Sequence, residues 1–394
     1  MADLLTGVMF ILGAGLFALV LVLLAQLLAS WLLREPDPMP MAATPSYAIL
    51  MPAHDEAATI EAMVTMTLAQ LTPEGRLVLI ADNCTDDTAA RAQQAGAEVI
   101  ERNDLQLRGK GYALAHGVAA LQSNPPQVVL VVDADCRARP GTFATLAAQA
   151  HRLQRPVQGM YEMLAPEGAS LKQRIAAFAW EFRARIRAEG FRRLGLPCQL
   201  MGSGMAFPWL LLQSANLATG HLVEDLKLGL DFAEQGAAPV YVPQAVVEST
   251  FPENEQGVQS QRKRWEHGHL AMIVSAAPAL LGKSLITANS ALLAMTIDML
   301  LPPLALLGML LTGNAIAAGL LVWSGFVPPT VGVLAAWSLG LFVAIVLVGW
   351  WRVGRRWISL GELAAIPWYM AMKIPLYLGF LTRRQAGWVR TKRD

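Results

Sequence analysis

Residues Val128 to Asp135 read Val-Val-Leu-Val-Val-Asp-Ala-Asp. Five consecutive apolar residues bounded by turn signals predict a strand buried on both faces, the pattern of a parallel sheet. Two carboxylates follow at i and i+2, on one face of an extended segment. Both can therefore approach one hard cation that also takes phosphate oxygens. Outward from this stretch, apolar runs recur at Tyr47 to Pro52, Leu77 to Ala81 and Val99 to Glu101. Helical patterns at 57–71, 86–95, 110–122 and 140–154 separate the runs. This alternation predicts an α/β fold with a mainly parallel central sheet covered on both faces, whose ligands sit at the carboxyl ends of the strands.

Those ends carry His54-Asp55-Glu56, Asp82-Asn83 and Asp133-Ala-Asp135. One acid after a strand often only starts a turn or caps the next helix, the reading given to Asp86 and Asp87. Three acidic ends on one sheet edge point instead to a ligand site. Arg108-Gly-Lys-Gly111 opens the next helix, where glycines and a helix N-terminus suit a phosphate and Lys110 supplies charge; a plain glycine turn is the alternative. Gly202-Ser203-Gly204 offers close backbone approach to a sugar or acceptor, or is an ordinary tight turn. In Val223-Glu224-Asp225, one carboxylate beside another suits general-base work, whereas two acids at a helix start also answer the helix dipole. Gln261-Arg-Lys-Arg264-Trp265 is either a basic juxtamembrane patch or an arm whose Arg264 and Trp265 reach back over a nucleotide diphosphate. His267 and His269, at i and i+2, do not share a helix face and are no metal pair.

The 394 residues are 54% apolar and 15% charged with a mean hydropathy of +0.40. That excludes a disordered or wholly soluble chain, and a net charge of +1 argues against nucleic acid as a partner. Three cysteines make no disulfide scaffold or zinc site and agree with a reducing compartment. No charge lies between Asp3 and Arg34. At about 1.5 Å per residue this stretch exceeds a hydrocarbon core of roughly 30 Å and reads as a retained transmembrane anchor over 1–34. From Ser284 to Trp351 the one charge is Asp298, and Gly325, Pro328 and Pro329 divide the run. The expectation is a membrane hairpin over 289–351, with helices near 289–321 and 330–351, preceded by an interfacial helix at 271–288. Residues 352–394 read as a basic interfacial or re-entrant segment and tail; within them the apolar stretch 360–381 has the alternative reading of a further span, which would export the basic tail at Arg383, Arg384, Arg390, Lys392 and Arg393. Arg34, Arg352, Arg355 and Arg356 place the soluble segment on the cytoplasmic side.

Taken in order, Pro52-Ala-His-Asp-Glu56, Asp82-Asn83, Asp133-Ala-Asp135, Gly202-Ser-Gly204, Glu224-Asp225 and Gln261-Arg-Lys-Arg-Trp265 resemble the motifs of membrane-integrated family-2 glycosyltransferases. That family includes the cellulose, hyaluronan and poly-N-acetylglucosamine synthases and the ceramide glucosyltransferases. The resemblance covers roughly 46–270 and implies a GT-A domain over 35–270 that uses a nucleotide-diphosphate sugar, usually a UDP-sugar, with Mg2+ or Mn2+. It implies donor contacts from Asp55, Glu56, Asp82, Lys110, Asp133, Gln261, Arg264 and Trp265, and metal binding by Asp133 and Asp135. Gly202, Ser203 and Gly204 would meet the acceptor, and Asp225, beside Glu224, would be the catalytic base. Two departures stand out: His54-Asp55 replaces the commoner Asn before the first Glu, and Val223 replaces the Thr of the usual Thr-Glu-Asp.

These features predict an inverting transferase of the bacterial inner membrane, with its catalytic domain in the cytoplasm. A lipid or lipid-linked saccharide is the favoured acceptor, in glycolipid or exopolysaccharide assembly, because so few spans leave little material to line a polysaccharide channel. The aromatic and arginine-rich stretch Leu171 to Leu194 either lies along the headgroups near that acceptor or packs as a surface helix. The alternatives are a processive polysaccharide synthase completed by self-association or a partner subunit, and a silent nucleotide-sugar-binding scaffold. One intramembrane acid, Asp298, does not make a transport pathway.

Overall fold

A computed structural model describes residues 2–34 and 43–382, which divide into two units. One unit lies within 35–166 and 195–296. Its strands are β1 (Tyr47–Ala53), β2 (Gly75–Asp82), β3 (Glu98–Arg102), β4 (Val128–Val131), β5 (Arg137–Ala138), β6 (Val157–Leu164), β7 (Met205–Pro208) and β8 (Val240–Thr250). They form one sheet in the order β3-β2-β1-β4-β7-β6-β8-β5. The four strands marked by the apolar runs, β1 to β4, are parallel neighbours. Beyond them the sheet is mixed: β7 runs antiparallel to β4 and β6, β6 is parallel to β8, and β5 is antiparallel to β8.

The short strand β7 matters most for the site. It begins directly after Gly202-Ser-Gly204, and its antiparallel register sets Met205 opposite Val131. The Gly-Ser-Gly turn is thereby carried to the carboxyl end of β4, beside Asp133. Ile49, Leu50, Val129 and Leu130 are fully buried, so the centre of the sheet is covered on both faces, as an unbroken apolar run requires. The helix Lys110–Leu121 buries Leu114, Val118 and Leu121 against it. A Cβ at Gly117 would come within 2.6 Å of Ile80 and 3.1 Å of Leu50, so this glycine sets how closely the helix approaches. The helices Ile60–Leu68, Thr88–Gln94 and Thr142–Leu153 complete the predicted alternation.

Gln261 to Trp265 lie inside a helix running Glu255–Ser275, which meets the helix Ala277–Ile286 at a 49° bend. The interfacial helix expected at 271–288 is therefore the bent continuation of the helix that holds the Gln-Arg-Lys-Arg-Trp run. The pair has the length and apolarity of a broken span or a re-entrant loop.

The other unit lies within 1–34, 167–194 and 297–384. Three helices among the described residues are long and apolar enough to cross a membrane: Ala2–Leu32, Leu304–Trp323 and Pro329–Gly354. The first leg of the expected hairpin is corrected. It is not continuous from 289 to 321 but ends as a short helix, Ser290–Met299, before the long helix begins at Leu304. Pro302 and Pro303 cause the break, since neither has an N–H to continue the helical ladder. Gly325, with φ +74°, and Pro328 turn the chain into the return helix. Within 360–381 the helices Ile366–Ala371 and Ile374–Thr382 are each too short to cross a bilayer. The basic tail from Arg383 lies outside the described residues.

Within the stretch Leu171 to Leu194 the chain is helical from Leu171 to Arg193, with a π-helical turn at Phe182–Ala188, and it belongs to this second unit. Its aromatic side packs on glycines: a Cβ at Gly349 would lie 2.4 Å from Phe182, and one at Gly354 2.7 Å from Phe178. At Gly190 the helix meets the N-terminal helix so closely that a Cβ would sit 2.1 Å from the Gln26 carbonyl oxygen.

Candidate active site

Strands β1, β2 and β4 are adjacent and parallel, so Asp55, Asp82 and Asp133 leave the sheet along one edge. Two of these exits adopt left-handed backbone without glycine, Asp55 at φ +52° and Asn83 at φ +54°. Asp and Asn tolerate that region better than other residues, and such geometry persists where surrounding bonds hold it. Those bonds are present. The Asp55 carboxylate accepts the Thr85 N–H at 2.6 Å, and Asn83 Oδ1 accepts the Asp104 N–H at 2.7 Å. His54 Nδ1 lies 2.7 Å from the Asp82 carbonyl oxygen, which can only accept, so Nδ1 carries the proton.

Asp82 is buried, and its Oδ1 accepts from Arg102 Nη1 at 2.7 Å and Asn83 Nδ2 at 3.0 Å. Its Oδ2 has no hydrogen bond among the described residues. The Glu56 N–H donates to Thr88 Oγ1 at 2.8 Å, and the Glu56 carbonyl starts the helix that follows. Of the two acids assigned to helix capping, Asp86 accepts the Thr88 N–H at 3.0 Å and the Ala57 N–H at 3.1 Å, whereas Asp87 pairs with Arg91 at 2.8 Å.

A second group of side chains gathers around Lys110. Its ammonium pairs with Asp133 and donates to the Gly202 carbonyl at 2.6 Å. Burial opposes that charge, but Asp133, then Glu224 and Asp225, outweigh it and hold the Lys110 pKa above its ordinary value. The Asp133 N–H donates to the fully buried Ser203 Oγ at 3.1 Å. Gly202 and Gly204 have φ values of +91° and +67°, and a Cβ at Gly202 would lie 3.4 Å from Asp225 Oδ2. The Gly-Ser-Gly turn is thus a tight turn and also a floor beneath Asp225.

Glu224 and Asp225 open the helix Glu224–Glu234. Burial, then the charge of Asp225, raises the Glu224 pKa to about 7, against the opposing pull of Lys110 and Arg264. Arg264 reaches Glu224 through its field from the helix Glu255–Ser275, which also holds buried Gln261 and half-buried Trp265. That helix is seated on the loop before Glu224 by Gly268, where a Cβ would lie 2.7 Å from Val223. A pocket beside the pair is lined by Gly111, Leu114, Met205, Thr219, Glu224 and Asp225.

Asp133, Asp135 and Cys136 bring one ligand atom each within 4.8 Å of one another. The two carboxylates are the oxygen donors a hard divalent cation takes. Burial, then the charge of Asp135, pushes the Cys136 thiol well above its usual range. Asp135 is anchored by Ser249 of β8, whose Oγ donates to Oδ2 at 2.7 Å. Ser249 and Arg102 were invisible to sequence reading because they stand far along the chain from the acids they hold, with no spacing to mark them.

Among solved structures, the chain is similar to a mannosyltransferase from Pyrobaculum calidifontis in complex with GDP-Man and Mn2+. The identity is 18% and the TM-score 0.48, over 86% of this chain and 99% of that one. It is also similar to glucosyl-3-phosphoglycerate synthase from Mycobacterium tuberculosis in complex with Mn2+, UDP-glucose and phosphoglyceric acid. That likeness has 22% identity and a TM-score of 0.40 over 60% of this chain and 87% of that one. Comparison with curated proteins gave no match. The model of the glycosyltransferase-like family 2 matches residues 45–268, more than half of the chain and the whole of the acidic sheet edge, and the chain belongs to that family.

Proposed function

We propose that the chain is a membrane-bound inverting glycosyltransferase that moves a sugar from a nucleotide-diphosphate donor, a UDP-sugar, to a lipid or lipid-linked saccharide. The observation that carries this reading is the convergence of Lys110, Asp133, Gly202 and Asp225 at the carboxyl edge of β4, with Asp55 and Asp82 on the same edge. Asp55, Glu56 and Asp82 serve the nucleoside end, and Lys110, Gln261, Arg264 and Trp265 the diphosphate end. Gly202 lines the acceptor side, whereas Ser203 and Gly204, expected to join it, are buried behind it, with the Ser203 hydroxyl held by the Asp133 N–H.

Asp133 and Asp135 would hold Mg2+ or Mn2+, which when bound supplies Lewis-acid neutralisation of the leaving diphosphate. An acceptor hydroxyl is a poor nucleophile until a base takes its proton. Asp225 accepts that proton as the hydroxyl oxygen bonds to the anomeric carbon, and the bond to the diphosphate oxygen breaks on the opposite side. Arg264 and Lys110 stabilise the charge that develops there. One displacement without an enzyme nucleophile inverts the anomeric centre.

Three membrane-length helices support a lipid-side acceptor, and the arginines Arg34, Arg352, Arg355 and Arg356 support a cytoplasmic catalytic unit. The test is nucleoside diphosphate release by detergent-purified protein, screened over UDP-sugars with Mg2+ or Mn2+ and membrane lipids. Mass spectrometry of the product should show a single added sugar, and a polymer would overturn the lipid-acceptor reading in favour of a processive synthase.

A further inference from the structure

We propose that the adjoining ends of the helices Ala2–Leu32 and Pro329–Gly349 form a docking site for the phosphate headgroup of an anionic phospholipid. Trp31 and Trp351 meet there with ring centroids 6.3 Å apart, and each is about half exposed. Arg352 lies over the Trp31 ring at 5.8 Å, and Arg355 over the Trp351 ring at 5.1 Å. Arg352 is further oriented by Ser30, donating to its Oγ at 2.8 Å and its carbonyl at 3.1 Å.

Neighbouring Arg356 provides the contrast. It also stacks on a tryptophan, Trp357 at 4.8 Å, but its charge is met by Glu181 at 2.7 Å. Among the described residues neither Arg352 nor Arg355 makes an ion pair with a carboxylate; Arg352 feels Glu189 through its field, opposed by that of Arg193. Stacking fixes the plane of a guanidinium without neutralising it and leaves the edge N–H donors of Arg355 for phosphate oxygens, while Arg352, with one N–H of each Nη given to Ser30, offers its remaining N–H groups and its charge. Half-exposed tryptophans at the ends of membrane-length helices belong at the headgroup level. A phosphate held at that depth, beside apolar helices, is what a bilayer of anionic lipid supplies. The site is independent of which acceptor the enzyme uses.

The test is thermal unfolding of the detergent-purified full chain with added phosphatidylglycerol, phosphatidylcholine or inorganic phosphate. Phosphatidylglycerol should raise Tm by several degrees more than phosphatidylcholine, because a ligand of the folded state stabilises it by mass action. Arg355→Gln, which removes the guanidinium stacked on Trp351, should lose most of that increment with Tm in phosphatidylcholine unchanged. Arg352→Gln should lose it too, with a lower starting Tm from the broken Ser30 bonds. Equal shifts by the two lipids, or a full increment in Arg355→Gln, would overturn the proposal. An equal shift by inorganic phosphate would overturn the lipid assignment in favour of a free-anion site.

Discussion

Glu224 gives the sharpest pH signature at the scale of single residues. Its pKa stands at about 7 in the fold against 4.5 for a free glutamate. Between those values the native state holds a proton that the unfolded chain has released, so stability falls as pH rises through that window and levels off above it. The penalty above neutrality is on the order of 3 kcal/mol. Glu224→Gln removes it. The variant should gain Tm over the parent progressively from pH 5 to pH 8, and a difference flat across that range would show that Glu224 is not held protonated. Ser249 acts on the metal pair through Asp135 and is a positioning residue. Ser249→Ala should weaken Mn2+ binding roughly 10- to 100-fold, read by the Mn2+ electron-paramagnetic signal, with Tm little changed. Unaltered Mn2+ affinity would remove Ser249 from the site.

The break in the membrane hairpin has its physical reason at the scale of elements. Pro302 has no N–H for the carbonyl of Asp298, which instead accepts the Leu301 N–H at 3.2 Å and Arg187 at 2.9 Å, and Arg187 also donates to the carboxylate at 2.9 Å. Gln26 of the N-terminal helix donates to the same carboxylate at 2.7 Å. Three segments distant in sequence are thus joined by one partly buried acid, which explains a charge in an otherwise apolar run without assigning it to substrate or transport. Asp298→Ala leaves the Arg187 guanidinium uncompensated and should cost about 3–5 kcal/mol of stability, seen as a large drop in Tm in detergent. A Tm equal to the parent's would mean that the carboxylate does not hold the helices together. The hydropathy of 284–351 foretold a membrane hairpin but not the break within its first leg. The two prolines were readable, but the apolar composition around them masked the interruption. The π-helical turn at Phe182–Ala188 had no sequence signal, because it depends on Phe178 and Phe182 fitting Gly354 and Gly349 from another part of the chain.

For the whole molecule, legibility followed the locality of the physics. Strands β1 to β4 were readable because each is an apolar run closed by turn residues, and a parallel sheet needs nothing more to bury them. Strands β5 and β7 were not, since they are two and four residues long and are defined by partners rather than by their own periodicity. The same division holds in the site. The carboxylates at strand ends stood out by position, while the pairing of Lys110 with Asp133 and the approach of Gly202 to Asp225 depend on the antiparallel placement of β7. Membership of the glycosyltransferase-like family 2 then joins the acidic edge to one chemistry, and the candidate base is its most exposed assumption. The most direct measurement is nucleoside diphosphate release from UDP-sugars by parent and Asp225→Asn proteins, with lipid and Mn2+ present and UDP binding followed in parallel. Lipid-dependent release by the parent that is lost by at least 100-fold in Asp225→Asn, with UDP binding retained, is the predicted result. Undiminished release by Asp225→Asn, or UDP binding by the parent with no sugar transfer from any donor to any lipid, would contradict it.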